Sequence, residues 1–350
     1  MQAMGETMRA AVLAAPGRIE VREIPLLEPG AGEVLLRVRA CGICGSDLHF
    51  FRGELPVRPD NPIGHEFAGE IERLGPAIDG WAPGQRVAVE PVWVCNDCDY
   101  CRRGEPQLCQ KRRLMGASVP GGLAEFALVP DYALRPLPDE LDYALGALVE
   151  PAAVAVHALH LTELFAGEHV LVLGGGSIGL LAALAARSAG ADFVAVTCRY
   201  EQQSRAATAL AVDETIAADD SAGRRLASLA QLSPFDVVVD SVGSPETLQR
   251  ALALARPGGR VLLLGVPTRP LAVSGLSLML KEVRLLASNS YCQAGDASDF
   301  QRATELVLAN RDVLQGLVTH SLPLAQAQDA FQMAADKHSG SIKVQVLPQE

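Results

Sequence analysis

Four cysteines in one short segment of this sequence are spaced so that their thiolates can meet at a single metal ion. The residues Cys95, Cys98, Cys101 and Cys109 follow the pattern C-x2-C-x2-C-x7-C. Zinc suits four thiolates, because it binds tetrahedrally and needs no redox change. Disulfides and an iron–sulfur cluster are alternatives, but the ferredoxin-type run has a three-residue last spacing followed by proline, which differs from this pattern. We predict a structural zinc site, closed to substrate by its four ligands.

A second group of residues offers a thiolate, an imidazole and carboxylates from separate segments. Cys44 and His65 lie in glycine-bounded stretches, Cys44-Gly-Ser-Asp-Leu-His49 and Gly64-His-Glu-Phe-Ala-Gly69, which we expect to be loops. Glu66 follows His65. Glu150 precedes Pro151, at the point where short alternating runs give way to apolar strands that alternate with helices. A mixed ligand set is typical of catalytic zinc, which keeps one position open. Cys41 also forms a C-x2-C pair with Cys44, but no thioredoxin-like context surrounds it, so we interpret Cys41 as a packing residue.

A glycine-rich turn predicts a nucleotide site. The apolar run His169–Leu173 is followed by Gly174-Gly-Gly-Ser-Ile-Gly179, in which Gly174, Gly176 and Gly179 occupy the G-x-G-x-x-G positions. Ser177 and Ile178 then open a helix, whose N-terminus can receive the pyrophosphate of a dinucleotide. A glycine-rich turn without a ligand is the alternative.

The end of the second strand favours NADP over NAD. NAD enzymes usually carry an acidic residue there, which binds the ribose 2′-hydroxyl, whereas this sequence reads Thr197-Cys-Arg199. Arg199 could meet a 2′-phosphate with Thr197 nearby, although an exposed charge at a strand end is also common. The turns after the fourth and fifth strands, expected near the nicotinamide, contribute Val242, Gly265 and Val266.

Two regions with different sequence patterns must form the strands and helices that position these candidate site residues. Residues 10–138 are rich in short alternating runs, glycine and proline, which predicts a β-rich domain. After Glu150, apolar strands alternate with helices, the pattern of a doubly wound parallel sheet. The six predicted strands are His169–Leu173, Phe193–Thr197, Glu214–Ala217, Asp236–Asp240, Arg260–Gly265 and Val283–Ala287.

The predicted fold class is therefore α/β, with a six-stranded dinucleotide-binding domain at residues 152–290 and a catalytic domain at residues 1–151. Beyond Ser290, the sequence predicts helices near Asp299–Ala309 and Leu324–Ala335 and a strand at Ser341–Leu347. None of these elements extends the nucleotide sheet. We assign residues 291–350 back to the catalytic domain.

Composition and charge exclude several classes of function. The net charge of −11 and the lack of a basic stripe argue against nucleic-acid binding. The N-terminus lacks a secretory signal pattern, and no apolar run approaches the ~20 residues that predict a membrane span. We expect a cytoplasmic protein without a membrane partner, whose thiols stay reduced.

The motifs together resemble the zinc-dependent medium-chain dehydrogenase/reductase family. The likeness rests on Gly42-Ile-Cys-Gly-Ser-Asp-Leu-His49, Gly64-His-Glu66 and the four-cysteine loop, and it runs from about Met8 to Leu347. It implies a Rossmann domain and a GroES-like catalytic domain. The chain is most similar to the sorbitol, sugar-acid and threonine dehydrogenases, because ethanol dehydrogenases place a ligand cysteine where this sequence has Glu150.

The resemblance also implies roles for the site residues. Cys44 and His65 would hold the catalytic zinc, with Glu66 as a ligand or close neighbour and Glu150 binding the metal or its water. Ser46 and His49 would relay the proton. Two zinc ions per chain, NADP or NAD, and a homodimer or homotetramer are expected.

The reaction expected from these roles is hydride transfer between NAD(P) and a secondary alcohol of polyol or sugar-acid type. Sorbitol-oxidising relatives carry Arg-Tyr where this chain has Ser290-Tyr291, so an arginine clamp on the substrate is not expected. Two other hypotheses are an NADPH-dependent aldehyde or ketone reductase, and a nucleotide-binding protein that has lost catalysis.

Overall fold

The chain divides into two units, each with its own hydrophobic core. A computed structural model describes residues 6–218, 222–232, 234–293 and 297–350, and the remaining parts of the predicted domain spans lie outside the described residues. The first unit contains Met1–Glu150 and Cys292–Glu350, and the second contains Pro151–Tyr291. The two boundaries between the units each lie within one residue of a boundary between the domain spans expected from the sequence.

The first unit is built mainly from β-strands. They are β1 (Thr7–Ala15), β2 (Arg18–Pro25), β3 (Glu33–Gly42), β4 (Glu66–Leu74), β5 (Arg86–Val89), β6 (Val92–Trp93), β7 (Arg113–Leu114), β8 (Phe126–Pro130), β9 (Leu134–Pro136), β16 (Val318–Pro323) and β17 (Lys343–Leu347). A seven-stranded sheet has the order β16-β17-β3-β4-β5-β9, with β8 also pairing with β3. Two small antiparallel sheets, β1-β2 and β6-β7, complete the strands.

Short helices connect and cover these strands. They are α1 (Gly45–Phe51), α2 (Asp99–Arg102), α3 (Tyr143–Gly146), α10 (Asp299–Ala309), α11 (Arg311–Leu314) and α12 (Ala327–Ala335), with α4 (Val149–Leu161) crossing the boundary between the units in sequence. The core of the first unit joins side chains from its N-terminal strands to Phe331 and Val346 of the C-terminal segment. Phe331 is fully buried, and its ring centroid lies 5.4 Å from that of Phe51.

The C-terminal segment pairs with the first sheet. Strand β17 pairs antiparallel with β3, with Val346 opposite Cys41 and Gln345 opposite Gly42. The predicted strand Ser341–Leu347 begins two residues later than expected, at Lys343, and the sequence analysis missed its parallel neighbour β16. The helix predicted from Leu324 begins as a 3-10 turn at Leu324–Gln326 before α12.

The second unit confirms the doubly wound parallel sheet. Its strands are β10 (His169–Leu173), β11 (Phe193–Cys198), β12 (Glu214–Ala217), β13 (Phe235–Asp240), β14 (Ala255–Leu263) and β15 (Arg284–Ala287). Their order is β12-β11-β10-β13-β14-β15, and all pairs are parallel. This order is that of dinucleotide-binding folds, in which the strand sequence reverses beside the first strand.

The helices of the second unit are α5 (Ser177–Ser188), α6 (Glu201–Ala209), α7 (Ala222–Leu232), α8 (Pro245–Leu254) and α9 (Gly275–Lys281). The strand predicted at Arg260–Gly265 is longer on its N-terminal side and ends at Leu263, because the last two residues belong to a turn. Strand ends are the least certain part of a pattern-based prediction, since the turn residues that follow are set by tertiary contacts.

Among the described residues, one helical stretch is long and apolar enough to cross a bilayer by composition, contrary to the expectation that no apolar run approaches that length. This stretch is Tyr143–Leu161, of 19 residues, but 78% of its most apolar window is buried inside the protein. Burial of this kind is typical of a core helix in a globular fold.

Candidate functional site

The segment after β3 is a helix rather than the predicted loop. Cys44 is the N-cap of α1, with extended backbone at φ −85° and ψ 161°. The Asp47 carboxylate accepts a hydrogen bond from the Cys44 backbone N–H at 2.9 Å, which satisfies a donor at the start of the helix. Ser46, Asp47 and His49 therefore lie on a helical turn, which fixes their side chains relative to the Cys44 thiol.

His65 is placed by a close approach of backbone segments. Gly64 has φ +90°, and a Cβ there would lie 2.7 Å from Cys41 Sγ and from Leu123. Gly116 and Gly121 each pack against the Gly64 backbone so closely that an added Cβ would come within 2.6 Å or less of it. Only glycine fits such contacts, and they place His65 just before β4 and Glu66 at its first residue. The prediction of a loop at Gly64–Gly69 is therefore wrong from Glu66 onward, where the chain is a strand.

The donor atoms of Cys44, His65 and Glu66 all lie within 4.8 Å of one another. The His65 ring has one nitrogen, Nδ1, 3.4 Å from Asp47 Oδ1 and the other, Nε2, 3.4 Å from Ser46 Oγ. A carboxylate behind the far nitrogen is the usual way to orient a metal-binding imidazole. The residues therefore fit a zinc ion in number, chemistry and convergence.

Burial and charge oppose each other at His65. Burial lowers the pKa of its imidazole, but the negative charges of Asp47 and Cys44 outweigh burial, so the pKa is raised well above its ordinary value. The surroundings of His65 therefore favour the protonated form of its ring.

Glu66 contacts a lysine that the sequence analysis missed. Lys343 Nζ lies 2.8 Å and 2.5 Å from the two Glu66 oxygens, and both side chains are almost fully buried. The available signal is a single cation in the apolar run Ile342-Lys-Val-Gln-Val346. A charged residue inside a buried strand needs a partner, because an unpaired charge would be strongly destabilising there.

Glu150 lies in the first turn of α4 and is 6% exposed. Burial raises the pKa of its carboxyl to about 8; His65 and Lys343 act to lower that pKa, and Glu66 and Asp47 to raise it. Glu150 is thus close enough to interact electrostatically with the whole cluster. A cation bound nearby would favour its ionised form.

His49, predicted to relay the proton, is held by a neighbouring carboxylate. Its Nδ1 lies 2.5 Å from Glu54 Oε2, and its side chain is 20% exposed. Ser46 shares the short helix α1 with His49, and its Oγ lies 3.4 Å from His65 Nε2. The pairing with Glu54 fixes which His49 nitrogen stays available for a further contact.

The four-cysteine group converges as its spacing predicts. Sulfur–sulfur distances are 3.9 Å for Cys95–Cys101, and 3.5 Å for both Cys98–Cys101 and Cys95–Cys109. Four sulfurs bound tetrahedrally at about 2.3 Å from one ion would be about 3.8 Å apart. All eight cysteines are free of disulfides, which removes that alternative.

Two of these thiols have pKa values shifted in opposite directions. Backbone N–H groups of Asp97 and Cys98 lower the pKa of Cys95 to about 6, while burial and the neighbouring sulfurs raise that of Cys101 to about 12. A divalent cation would compensate the charge that the sulfurs cannot carry together.

The glycine-rich turn has the close contacts that a dinucleotide loop requires. Gly174 has φ +108°, and a Cβ at Gly179 would lie 1.9 Å from the Gly174 carbonyl oxygen. By contrast, a Cβ at Gly176, the N-cap of α5, would meet nothing within 4 Å. Ser177 and Ile178 form the first turn of α5, so the open side of the loop lies at a helix N-terminus suited to an anion.

At the end of β11, one side chain bonds to the glycine-rich turn, the next is buried and the third is exposed to solvent. The Thr197 hydroxyl accepts a hydrogen bond from the Gly174 N–H at 2.9 Å, so Thr197 shapes the loop. Cys198 is 2% exposed, and its sulfur would lie 2.8 Å from a Cβ at Gly175. Arg199 is exposed, and its backbone N–H donates to the Gln203 side chain at 2.9 Å.

The turns that follow β13 and β14 meet at one end of the six-stranded sheet. The Asp240 carboxylate accepts hydrogen bonds from the Val242 and Gly243 N–H groups, both at 3.0 Å. A Cβ at Gly265 would lie 2.4 Å from the Val242 carbonyl carbon, so the turns pack backbone to backbone. The side chains of Val242 and Val266 are 49% and 45% exposed, which leaves apolar surface at the predicted nicotinamide end.

Comparisons with known proteins cover most of the chain. Residues 30–139 match the family model described as the alcohol dehydrogenase GroES-like domain, and residues 177–309 match that of zinc-binding dehydrogenases. The chain is 31% identical to sorbitol dehydrogenase of Bacillus subtilis over 98% of each chain. It is 32% identical to 2-dehydro-3-deoxy-L-galactonate 5-dehydrogenase of Pseudoalteromonas atlantica, over 87% of this chain and 89% of the relative.

Solved structures are similar over nearly the full length. A zinc-binding dehydrogenase from Sinorhizobium meliloti, solved with NADP bound, has a TM-score of 0.88 and 34% identity over 98% of this chain and 100% of that one. An alcohol dehydrogenase from Escherichia coli CFT073, solved with NADH, has a TM-score of 0.88 and 26% identity over 98% and 100%.

The packing of the glycine-rich turn predicts different effects for two neighbouring substitutions. Gly179→Ala should lower the free energy of unfolding by about 1–3 kcal/mol, because the new methyl group overlaps the Gly174 carbonyl. Gly176→Ala is the matched control and should cost less than about 1 kcal/mol, since its methyl group meets open space. Urea unfolding measures both, and equal destabilisation would contradict the packing argument.

Proposed function

The chain belongs to the zinc-dependent medium-chain dehydrogenase family, and we propose that it oxidises a secondary alcohol of polyol or sugar-acid type with NAD(P). This membership confirms the resemblance drawn from the sequence and makes the protein an oxidoreductase with a small-molecule substrate. The observation that carries the proposal is the convergence of Cys44, His65 and Glu66 within 4.8 Å, with Glu150 buried nearby.

A catalytic zinc would be held by Cys44 and His65, with Glu66 or Glu150 as a further ligand. When bound, the ion supplies Lewis acidity, which makes a hydroxyl group acidic enough to lose its proton near neutral pH. The four cysteines Cys95, Cys98, Cys101 and Cys109 would hold a second ion, and its role would be to stabilise their loop.

The protein's own groups would orient the reaction and carry the proton. Asp47 faces His65 Nδ1 and accepts from the Cys44 N–H, so it fixes both proposed ligands at once. Ser46 Oγ, beside His65 Nε2, would accept the proton of the substrate hydroxyl while its own proton passes on along the relay. His49, also on α1, would pass a proton onward to solvent, and Glu54, in contact with its Nδ1, would orient the ring.

The cofactor would bind at the glycine-rich turn, with its pyrophosphate over Gly176, Ser177 and Ile178. The hydride would leave the carbinol carbon for the nicotinamide, a step that depends on alignment of the two reacting carbons. We favour NADP because position 198 is a buried cysteine and Arg199 is exposed, so a cation instead of a carboxylate is available to the ribose.

The substrate class follows from the relatives and from the carboxylate at position 150. Relatives named for sorbitol and for a sugar acid cover most of this chain, and polyols and sugar acids share a secondary carbinol flanked by hydroxyl groups. The same groups would catalyse carbonyl reduction in reverse. A protein that only binds nucleotides would not require this set of buried, convergent ligand atoms.

We also propose that the protein forms a homodimer through the second unit and resides in the cytoplasm. Strand β15 lies at the edge of the six-stranded sheet. Beside it in sequence, Leu276, Met279, Leu280 and Leu285 are 62%, 68%, 73% and 38% exposed. A second copy could pair with this edge across a two-fold axis and cover the apolar side chains.

Zinc analysis tests the metal assignment. Cys44→Ser should lose one of two zinc ions and lower kcat/KM by at least about 100-fold, since the Lewis acid is worth several kcal/mol. Cys109→Ser should lose the other ion. Cys41→Ser, in a buried cysteine three residues from Cys44, is the control and should keep both. The assignment would be wrong if Cys44→Ser kept both ions and full activity.

Cofactor preference tests the role of Arg199. Arg199→Asp should weaken NADPH binding by about 10–100-fold, because a charge-assisted contact worth about 1.5–3 kcal/mol is lost, and should improve NADH binding. The control Arg250→Asp changes an exposed arginine on α8 of the same unit and should leave both affinities unchanged. Fluorescence titration measures them; a wild-type preference for NADH would overturn the argument.

The oligomer proposal predicts that charge on the exposed edge prevents assembly. Leu280→Glu combined with Leu285→Lys should shift the protein to a monomer in light scattering after size exclusion, because charged side chains would be buried at the contact. Leu232→Glu, which changes a leucine that is 77% exposed on α7, should leave the dimer intact. A wild-type monomer at micromolar concentration would exclude the dimer.

A further inference from the structure

The chain re-enters the first unit at Cys292, and this residue is tied to the start of α10. The Cys292 N–H donates to Asp299 Oδ2 at 2.9 Å, and the Asp299 N–H donates to the Cys292 carbonyl at 3.0 Å. Asp299 is the first residue of α10 and is 1% exposed. Residues 292 and 293, here called the return segment, are thus held on one side by a buried carboxylate.

The second residue of the return segment is bonded to the four-cysteine loop and to a buried acid. The Gln293 N–H donates to the Gly104 carbonyl at 2.9 Å, and the Gln293 side-chain amide donates to the Glu90 carboxylate. Burial raises the pKa of Glu90, whereas Arg135 and Gln293 act to lower that pKa. The Glu90 carboxylate, 6% exposed, therefore depends on Gln293 for part of its compensation.

The position of the Gly104 carbonyl is set by the turn that carries two of the four cysteines. Cys98 is the N-cap of α2, and Cys101 lies within this helix. The Arg102 N–H donates to the Cys98 carbonyl at 3.0 Å, and the Gly104 N–H donates to the Cys101 carbonyl at 3.1 Å. Helix α2 has four residues and none of them is buried, so packing contributes little to its stability. An ion that fixes Cys98 and Cys101 would therefore also fix the acceptor of the Gln293 N–H.

We propose that a metal ion in the four-cysteine loop fastens the return segment as well as its own loop, so that occupancy of this site sets how firmly Gln293 is held. This inference rests on the proposed function, since it presumes an ion at the four-cysteine site. The same contacts extend towards the proposed catalytic ligands, because Glu90 directly follows β5, and β5 pairs with β4, which begins at Glu66.

Amide hydrogen exchange of the zinc-loaded full chain, followed by mass spectrometry on peptides that contain the return segment, tests this coupling without turnover. Cys109→Ser should lose the loop's ion and speed exchange at Gln293 by at least about 5-fold, because its hydrogen-bond acceptor is no longer fixed. Cys44→Ser is the matched control, since it should lose the other ion and leave exchange at Gln293 unchanged.

The outcomes separate this proposal from the proposed function. An unchanged exchange rate in a Cys109→Ser protein that has lost its ion would overturn the coupling alone, and so would equal acceleration in both cysteine variants. A Cys109→Ser protein that keeps two ions would overturn the assignment of the second zinc as well.

A reciprocal measurement leaves all four cysteines intact and decides the question if Cys109→Ser does not fold. Coupling between two sites acts in both directions, so loosening the return segment should weaken binding of the ion. In a Cys44→Ser background, which would hold the loop's ion alone, Gln293→Ala should weaken zinc binding by about 3–10-fold in competition with a chromogenic chelator. Gln332→Ala changes an exposed glutamine on α12 and should leave zinc affinity unchanged. Equal affinity in Gln293→Ala and its parent would contradict the coupling.

Discussion

Five ionisable side chains are buried together in the first unit, and each depends on the others for its charge to be tolerated. Asp47, His65, Glu66, Glu150 and Lys343 are all 6% exposed or less. A lone charge in such surroundings would be neutralised or would destabilise the fold. The cluster instead alternates sign, with Asp47 against His65 and Lys343 against Glu66. The acids exceed the bases, so the cluster as a whole is suited to a further cation.

The backbone reaches this arrangement through close contacts that only glycine permits. Gly64 with Gly116 and Gly121 brings the start of β4 against neighbouring loops, and Gly42 leaves space for Glu66. These contacts place residues from β3, α1, β4 and β17 at one point. Any side chain at these positions would move a proposed ligand, so the glycines constrain the chemistry although they carry no functional group.

In the second unit, glycines again allow backbone segments to approach each other closely. Gly174 and Gly179 bring a loop and a helix into contact, and Thr197 and Asp240 satisfy backbone N–H groups at the ends of their strands. The result is a closely packed turn whose open side lies at a helix N-terminus. Such a turn binds a pyrophosphate with little reorganisation, which is why its geometry needs to be set before the ligand arrives.

The sequence by itself determined the two groups of candidate ligand residues, the glycine-rich turn and the six strands that alternate with helices in the second unit, because these depend on spacing and period along the chain. The helical conformation of Cys44–His49, the pairing of Thr197 with Gly174 and the ion pair between Glu66 and Lys343 were decided only by the tertiary structure. Glu66 and Lys343 are separated by 277 residues, and no local pattern specifies such a partner. It is fixed by the register of β17 on β3, which places one buried cation beside one buried carboxylate.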